Sequence, residues 1–270
     1  MTIKHIFSDM DGTLLQSDCT ISEKNVSVIK SSTIPLTLVS ARSPKQMLEV
    51  IDKLDLREPQ IAFNGGLIFQ KGTQNIEILN EDHLDISEVS AIVDMVKRDF
   101  PKVNCSFFDA NDWYIEQADQ RTEKEAKFGG QNPTMANFVS LLKQTDLKVY
   151  KIMLIVSDLQ EMQGLIAEMN KFNPGNLNIK QSSATYLEVT STSADKSKGV
   201  KYIQNLENLD KQDMAAFGDG NNDVAMLKEV GTPIVMENAL DGVKEYGKYL
   251  TKDNDSDGVA YGISRYLLEK

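Results

Sequence analysis

The hydrophobic pattern in the first third of the chain alternates between short apolar runs and segments with helical spacing. The apolar runs predict buried strands at residues 3–8 and 36–39, and residues 60–66 predict a third strand that ends in a turn. A helix is expected over about residues 22–31, and a second one begins where Ser43 and Gln46 form a capping box. Alternation of this kind is typical of a parallel sheet with helical connections.

The pattern changes after residue 82 and returns to the first type near residue 198. In between, helical spacing is expected at residues 89–100 and 159–169, and strand-like runs at residues 103–108, 113–117, 150–157 and 177–190. After residue 198, strands are expected at residues 214–219 and 233–236. Helices are expected at residues 199–209, from about residue 223, and at the end of the chain through residue 266. We therefore predict an α/β core of residues 1–82 and 188–270, interrupted by an α+β domain of residues 83–187.

Composition narrows the functional classes. The 270-residue chain has a formal charge of −11, so nucleic acid is not an expected partner. It contains two histidines, which argues against histidine phosphatases and zinc sites with several histidine ligands. No apolar run is long enough to predict a membrane span, and no signal peptide or disulfide framework is recognisable. A cytoplasmic location is expected, and the oligomeric state stays open.

Two acidic turns follow predicted strands. In "FSDMDGT", Asp9 and Asp11 come just after the first strand, and in "FGDGNND", Asp219 takes the same position after a later strand. Ligands of open α/β sheets bind beyond the carboxyl ends of the strands. If the two strands are neighbours, these carboxylates can share a hard divalent cation such as Mg²⁺; otherwise they are solvated turns.

Further groups could complete an anion pocket. Ser40 ends the second strand, and its hydroxyl could bind a phosphate oxygen. Lys196 and Lys198 precede a predicted helix, and a helix N-terminus favours anions. Taken singly, each of these residues would be an ordinary surface residue.

The segments "DMDGTLL", "LVSAR", "KSKG" and "GDGNND" occur in the order of the four motifs of the haloacid dehalogenase-like hydrolases. The chain resembles the Cof-type subfamily of phosphatases in particular, and the resemblance extends to "NGG", "ENA" and "DGVA" further along. It implies a Rossmann-like parallel-sheet core with an inserted α+β cap domain. It also implies an enzyme that hydrolyses small phosphorylated metabolites with Mg²⁺.

The resemblance implies a role for each motif residue. Asp9 would be the nucleophile that forms an aspartyl-phosphate, and Asp11 the general acid and base. Asp9, Asp219 and the main chain of Asp11 would hold Mg²⁺, with Asp223 in support. The phosphoryl oxygens would be bound by the remaining motif residues: Ser40, Lys198, Asn222 and the backbone amides near Met10 and Ala41.

The chain departs from the family pattern at three places. Ser40–Ala41 stands where Thr-Gly is common, and Glu237 where Gly often precedes the "NA" mark. Lys196 competes with Lys198, which is preferred because Gly199 follows it directly. None of these departures removes a catalytic group.

Two alternative functions use the same motifs. A phosphosugar mutase would form the same aspartyl-phosphate and return the phosphate to its substrate. A phospho-ligand sensor would keep the pocket without turnover. In the cap, Trp113 and Tyr114 could stack on a flat substrate, but packing within the cap's own sheet is the favoured interpretation.

Overall fold

A computed structural model describes residues 2–73, 75–173 and 175–268 of the chain. The chain forms two compact units. The first contains the residues up to Ala41, Met47–Asn80 and the residues from Asp195 onward, and the second contains Arg42–Gln46 and Glu81–Ala194.

Both units contain strands and helices. In chain order the strands are β1 (His5–Ser8), β2 (Leu36–Leu38), β3 (Gln60–Ala62), β4 (Leu67–Lys71), β5 (Ile76–Glu81), β6 (Asn104–Phe108), β7 (Trp113–Ile115), β8 (Thr134–Met135), β9 (Lys151–Ile155), β10 (Leu177–Gln181), β11 (Tyr186–Ser191), β12 (Met214–Gly218), β13 (Thr232–Val235) and β14 (Tyr249–Leu250). The α-helices are α1 (Glu23–Ser32), α2 (Pro44–Leu54), α3 (Ile86–Asp99), α4 (Gln120–Gly129), α5 (Phe138–Leu141), α6 (Leu159–Phe172), α7 (Lys196–Glu207), α8 (Val224–Glu229), α9 (Asp241–Lys244) and α10 (Gly258–Gly262).

The first unit is built on a parallel sheet with the strand order β14-β13-β12-β1-β2. Val39, just after β2, forms a parallel bridge with Ile61 of β3, and β3 continues into a sheet with β4 and β5. Every residue of β1 and β12 is buried, as expected for central strands of a parallel sheet. The predicted α/β core is confirmed.

Register brings the ends of the two central strands together. Ser8, the last residue of β1, lies opposite Phe217 near the end of β12. The loops that leave β1 and β12 therefore emerge side by side from the same sheet edge.

At the start of β1, the ring nitrogens of His5 lie 2.9 Å from Glu207 Oε2 and from Thr37 Oγ1, so this histidine has a structural role.

The second unit is an α+β module, as predicted. Its six strands have the order β10-β11-β9-β6-β7-β8, and all neighbours are antiparallel except β7 and β8. Alternate strand residues such as Ile152 and Leu154 share one core with apolar residues of α3 and α6. The sequence pattern missed α4, β8 and α5, because these elements are short or mostly exposed.

Several predicted bounds need correction. The sequence predicts that the inserted domain ends at residue 187, which lies inside β11. This strand pairs with β9 and β10 and belongs wholly to the second unit. Helix α7 begins at Lys196, three residues before the predicted start. The C-terminal helix is α-helical only to Gly262 and continues as a π-helix over Ile263–Leu268. Among the described residues, every helix is too short or too polar to cross a bilayer.

Candidate active site

The loops that carry the predicted aspartates meet because β1 and β12 are adjacent parallel strands. Asp9 directly follows β1, and its backbone N–H donates to the carbonyl of Phe217, 3.0 Å away in β12. Asp219 directly follows β12. Two carboxylates that are far apart in sequence thus lie at one edge of the sheet, where ligands of this kind of fold bind.

A buried lysine joins these carboxylates into one cluster. Asp9, Asp219 and Asp223 each offer a carboxylate oxygen within 4.8 Å of the others. The Lys196 ammonium donates to Asp9 Oδ1 at 2.5 Å and to Asp223 Oδ1 at 2.6 Å. Its side chain is 0% exposed, against 9% for Asp9 and 1% for Asp223. The ammonium is therefore held by two charged partners away from bulk water.

The turn after Asp9 packs closely on Asp219. Gly12 has a φ of +79°, and a Cβ there would lie 2.6 Å from Asp219 Oδ2. Thr13 Oγ1 donates to Asp219 Oδ1 at 2.7 Å. A residue with a side chain would need a strained backbone and would displace the carboxylate. Glycine at this position is what lets the two acidic loops approach each other.

Asp223 stabilises the second acidic loop from inside. Its Oδ2 accepts the backbone N–H of Asp219 at 2.9 Å and of Gly220 at 2.8 Å, while Oδ1 accepts from Lys196. Gly218 permits this turn, since a Cβ there would lie 2.6 Å from the Cβ of Asp223. Both oxygens of Asp223 thus have donors within the protein, unlike a carboxylate that is poised to bind a ligand.

The electrostatics of the cluster favour a bound cation. Burial raises the pKa of Asp219 to about 6, with Asp223 adding to the rise and the Thr13 hydrogen bond opposing it. Burial and the charge of Asp223 also raise the pKa of Asp9 against the attraction of Lys196. For Lys196 the effect of burial is outweighed by the two carboxylates, and its pKa is raised. Since three carboxylates face one ammonium, the cluster carries surplus negative charge.

This donor set fits a hard divalent cation. Mg²⁺ is bound in proteins through one or two carboxylates, together with water and phosphate oxygens. Asp9 and Asp219 are the carboxylates of the cluster that are best placed to provide oxygens. Imidazole and thiolate groups, which softer metals prefer, are absent from the acidic cluster that the described residues form.

The other predicted residues lie in loops around this cluster. Ser40 is 1% exposed, and its N–H donates to the carbonyl of Ile61 at 2.9 Å. Met10 is buried, and its carbonyl accepts from the N–H groups of Thr13 and Leu15, which closes the turn after Asp9. Asp11 is exposed in that same turn.

The other predicted phosphate-binding groups also lie in loops at strand ends. Ala41 is half-buried and follows Ser40. Asn222 is half-buried in the loop after β12, and its Nδ2 donates to Asn64 Oδ1 at 3.2 Å. From the sequence, Asn64 had no expected role beyond its place in the "NGG" mark.

Of the two candidate lysines, the one next to the aspartates is Lys196. Lys198, which the following glycine favours on sequence grounds, is exposed and lies two residues further along α7. The N-cap residue Asp195 starts the helix through its side chain, which accepts from the N–H of Ser197 at 2.8 Å. The helix therefore presents Lys196, and not Lys198, on its buried side.

Asparagine side chains hold the turn after Asp9 from outside the four motifs. Asn238 Nδ2 donates to the carbonyl of Gly12 at 2.8 Å, and Asn254 Nδ2 donates to that of Leu15 at 3.0 Å. Asn238 Oδ1 in turn accepts from the N–H of Asn254 at 3.2 Å. Sequence reasoning missed these residues, although Asn238 lies in the "ENA" mark and Asn254 a few residues before "DGVA".

The aromatic residues of the second unit pack within it. Trp113 is fully buried and stacks on Phe108, with ring centroids 5.7 Å apart and planes 5° apart. Tyr114 contacts Phe107 and donates its hydroxyl to Asp109 Oδ2 at 2.8 Å. This placement agrees with the favoured interpretation that the two residues pack the sheet of their own unit.

Comparisons with known proteins agree with the fold and the motifs. The haloacid dehalogenase-like hydrolase family model matches residues 6–263. A Haemophilus influenzae relative that carries a provisional phosphatase name is 30% identical over 265 residues, 96% of this chain and 97% of its own. A Bacillus subtilis relative named 5-amino-6-(5-phospho-D-ribitylamino)uracil phosphatase is 27% identical over 98% of each chain. A solved haloacid dehalogenase-like hydrolase from Bacteroides thetaiotaomicron superposes with a TM-score of 0.89 at 25% identity, over 98% of this chain and 99% of its own. The chain belongs to the haloacid dehalogenase-like hydrolase family.

Proposed function

We propose that this protein is a Mg²⁺-dependent phosphomonoester hydrolase that works through an aspartyl-phosphate on Asp9. The observation that carries the proposal is the buried cluster in which Lys196 contacts Asp9 and Asp223, with Asp219 alongside. Phosphoryl transfer depends mainly on in-line positioning and on neutralisation of the phosphoryl oxygens. A nucleophilic carboxylate, an ammonium and an acidic cation site next to one another supply these requirements.

The first half of the proposed reaction forms a covalent intermediate. A carboxylate oxygen of Asp9 attacks phosphorus, the bond from phosphorus to the ester oxygen breaks, and Asp11 gives its proton to the leaving alcohol. In the second half Asp11 takes a proton from water, which attacks phosphorus and releases inorganic phosphate and the free Asp9 carboxylate. Asp11 suits this exchange of protons because it is exposed, two residues from the buried nucleophile.

The phosphoryl oxygens would be held by Ser40, Asn222 and the backbone amides near Met10 and Ala41, as the family resemblance implies. We assign the lysine of this set to Lys196 in place of Lys198. The reason is its contact with Asp9, which brings the ammonium next to the atom that would attack phosphorus. A buried ammonium is a compact point charge for phosphate and needs no reorganisation to act.

Mg²⁺ would be held by the carboxylates of Asp9 and Asp219 and by the main-chain carbonyl of Asp11. When bound, it would offset the negative charge of the cluster and of the phosphoryl group. Asp223 would act as support, because its two oxygens already accept from Lys196 and from the N–H groups of Asp219 and Gly220.

The proposed substrate class is small phosphorylated metabolites. The name of the Bacillus subtilis relative describes a phosphatase for a ribityl phosphate attached to a flat heterocycle, which supports this class without naming the substrate here. The net charge of −11 disfavours long polyanions such as nucleic acids. The proposed location is the cytoplasm, in line with Cys19 and Cys105, which are both present as thiols.

The test is phosphate release from a panel of phosphomonoesters, with and without Mg²⁺. Asp9→Asn is the blank, because it keeps the shape of the nucleophile and removes its charge, and we expect no turnover from it. Asp219→Asn should need more Mg²⁺ for half-maximal activity. Release that is equal in Asp9→Asn would place the nucleophile elsewhere. An isomerised sugar phosphate without free phosphate would indicate a mutase, and tight binding without turnover would indicate a sensor.

A further inference from the structure

Three consecutive residues after β3 have positive φ angles: 50° at Phe63, 55° at Asn64 and 101° at Gly65. The left-handed region is unfavourable for residues with a Cβ, and most of all for a bulky one such as Phe63. Strained backbone of this kind persists only where surrounding contacts hold it, and it concentrates at functional sites. The strain points to a role for this turn that the proposed mechanism has not used.

The turn contacts three segments of the proposed phosphate-binding site. The N–H of Asn64 donates to the carbonyl of Ser40 at 2.8 Å, and Asn64 Oδ1 accepts from Asn222 Nδ2 at 3.2 Å. Gly65 backs onto the residue before Lys196 so closely that a Cβ would lie 2.3 Å from the carbonyl oxygen of Asp195. The segments that carry Ser40, Lys196 and Asn222 therefore share one neighbour.

We propose that Asn64 is a positioning residue that aligns the amide of Asn222 for the phosphoryl group. The inference rests on the proposed phosphatase function. A side-chain amide nitrogen has two hydrogens. Because Asn64 Oδ1 takes one of them, the amide plane of Asn222 is fixed and the second hydrogen is left to donate to a phosphoryl oxygen. The backbone of Asn64 holds the Ser40 loop at the same time.

The residue type at position 64 allows the backbone role and the side-chain role to be separated. Asparagine tolerates left-handed backbone better than most residues, and glycine tolerates it better still. Asn64→Gly therefore keeps the turn and its N–H but removes the acceptor for Asn222. Asn208→Gly is the matched control, since Asn208 also has a positive φ, 53°, and caps the far end of α7.

The experiment measures the dissociation constant of inorganic phosphate by calorimetry in the presence of Mg²⁺, together with kcat/KM. Loss of one net hydrogen bond corresponds to roughly 3- to 10-fold weaker binding, and we expect Asn64→Gly to weaken phosphate binding and lower kcat/KM by about this factor. Asn208→Gly should match the wild type. Because a partly unfolded protein binds with a higher apparent dissociation constant, the measurement is made well below the melting temperature of each variant. Under that condition a purely structural role would leave the dissociation constant unchanged. Phosphate binding by Asn64→Gly at wild-type strength would overturn the inference.

A double-mutant cycle tests the route through Asn222. Asn222→Ala removes the same hydrogen bond from the other side, so adding Asn64→Gly should weaken phosphate binding by less than twofold. If Asn64→Gly weakens phosphate binding as much in Asn222→Ala as it does in the wild type, Asn64 acts independently of Asn222, and the inference is contradicted. If the wild type binds phosphate but hydrolyses no ester, the proposed function fails. The ratio of the phosphate dissociation constants of Asn64→Gly and the wild type still decides this inference. A wild type that binds no phosphate would overturn both.

Discussion

Lys196 provides the sharpest test of how the candidate site is held together. Its ammonium is fully buried and bonds to two carboxylates that are themselves almost fully buried. Lys196→Met keeps nearly the same length and volume but leaves Asp9 and Asp223 facing each other without a cation. Breaking a buried ion pair by removing one partner costs about 3–5 kcal/mol, because the remaining charge stays buried and uncompensated.

The expected loss is large enough to measure in the whole protein. At roughly 2–4 °C per kcal/mol for a chain of this size, the melting temperature should fall by about 6–20 °C. Far-ultraviolet circular dichroism is the appropriate probe, because the single tryptophan, Trp113, lies in the second unit and would not report on the first. Activity should fall on the order of 100-fold or more, as for loss of a group that stabilises transition-state charge.

Lys198→Met is the control, since it makes the same chemical change two residues away on the exposed side of α7. A surface substitution of this kind is expected to change stability by about 0.5 kcal/mol or less. If Lys196→Met melts and turns over like the wild type, the buried lysine is not what holds the carboxylates. If Lys198→Met is the variant that loses activity, the assignment reverts to the lysine that the motif pattern favours.

Two further predictions, the first with a control substitution, test other parts of the structure. Gly12→Ala should cost about 1–2 kcal/mol for its left-handed backbone and raise the Mg²⁺ concentration for half-maximal activity, because the new Cβ would collide with Asp219. Gly130→Ala at φ +70° has open space around it and should show a similar loss of stability, without any change in the Mg²⁺ titration. Asp119→Ala should destabilise the second unit by about 1 kcal/mol, seen in tryptophan fluorescence, because Asp119 caps α4. Burial alone would raise the pKa of Asp119, but bonds from Arg121 and the backbone lower it. The difference in the free energy of unfolding between Asp119→Ala and the wild type should therefore shrink as the pH falls below 3.8. A difference that does not shrink in acid would contradict the role of the Asp119 charge.

The parts of the fold that sequence could predict are those with a strong periodic signal. Buried strands such as β1 and β12 are continuous apolar runs. The acidic turns that follow them mark the sheet edge at which ligands of this kind of fold bind. Helix α4 was not predicted because only Thr122 and Gly129 of its ten residues are buried, so it has no apolar stripe. Tertiary contacts, and not local pattern, decide where such a segment lies.

The ranking of the two lysines shows how the predicted start of a helix affects a functional prediction. With the helix expected from residue 199, both lysines fell in a preceding loop and could be ranked only by the glycine that follows. In the structure the buried residues of α7 are Lys196, Gly199, Val200 and Ile203. These positions follow the i, i+3, i+4, i+7 spacing of one helix face, so Lys196 belongs to the buried stripe and Lys198 does not. An N-cap assignment at Asp195 would have revealed this from the sequence.

Asn64 marks the limit of what a pattern can predict. Its hydrogen bond to Asn222 joins two loops that are distant in sequence, and its left-handed backbone follows another left-handed residue, Phe63. No period or capping signal encodes two consecutive strained residues ahead of a glycine. Their cost, about 1–3 kcal/mol for each residue, has to be offset by contacts that exist only in the folded state.

The pair of aspartates after β1 illustrates how one turn can create two different environments. Asp9 is buried against an ammonium, while Asp11, one residue beyond the buried Met10, is exposed. Two carboxylates that differ in this way can carry out different chemistry, because environment and not residue type decides the role of each. A nucleophile needs fixed geometry and a cationic neighbour, and a general acid and base needs access to the leaving group and to water. The proposed roles therefore follow from burial as well as from motif order, and exchanging them would require the exposed carboxylate to attack and the buried one to reach water.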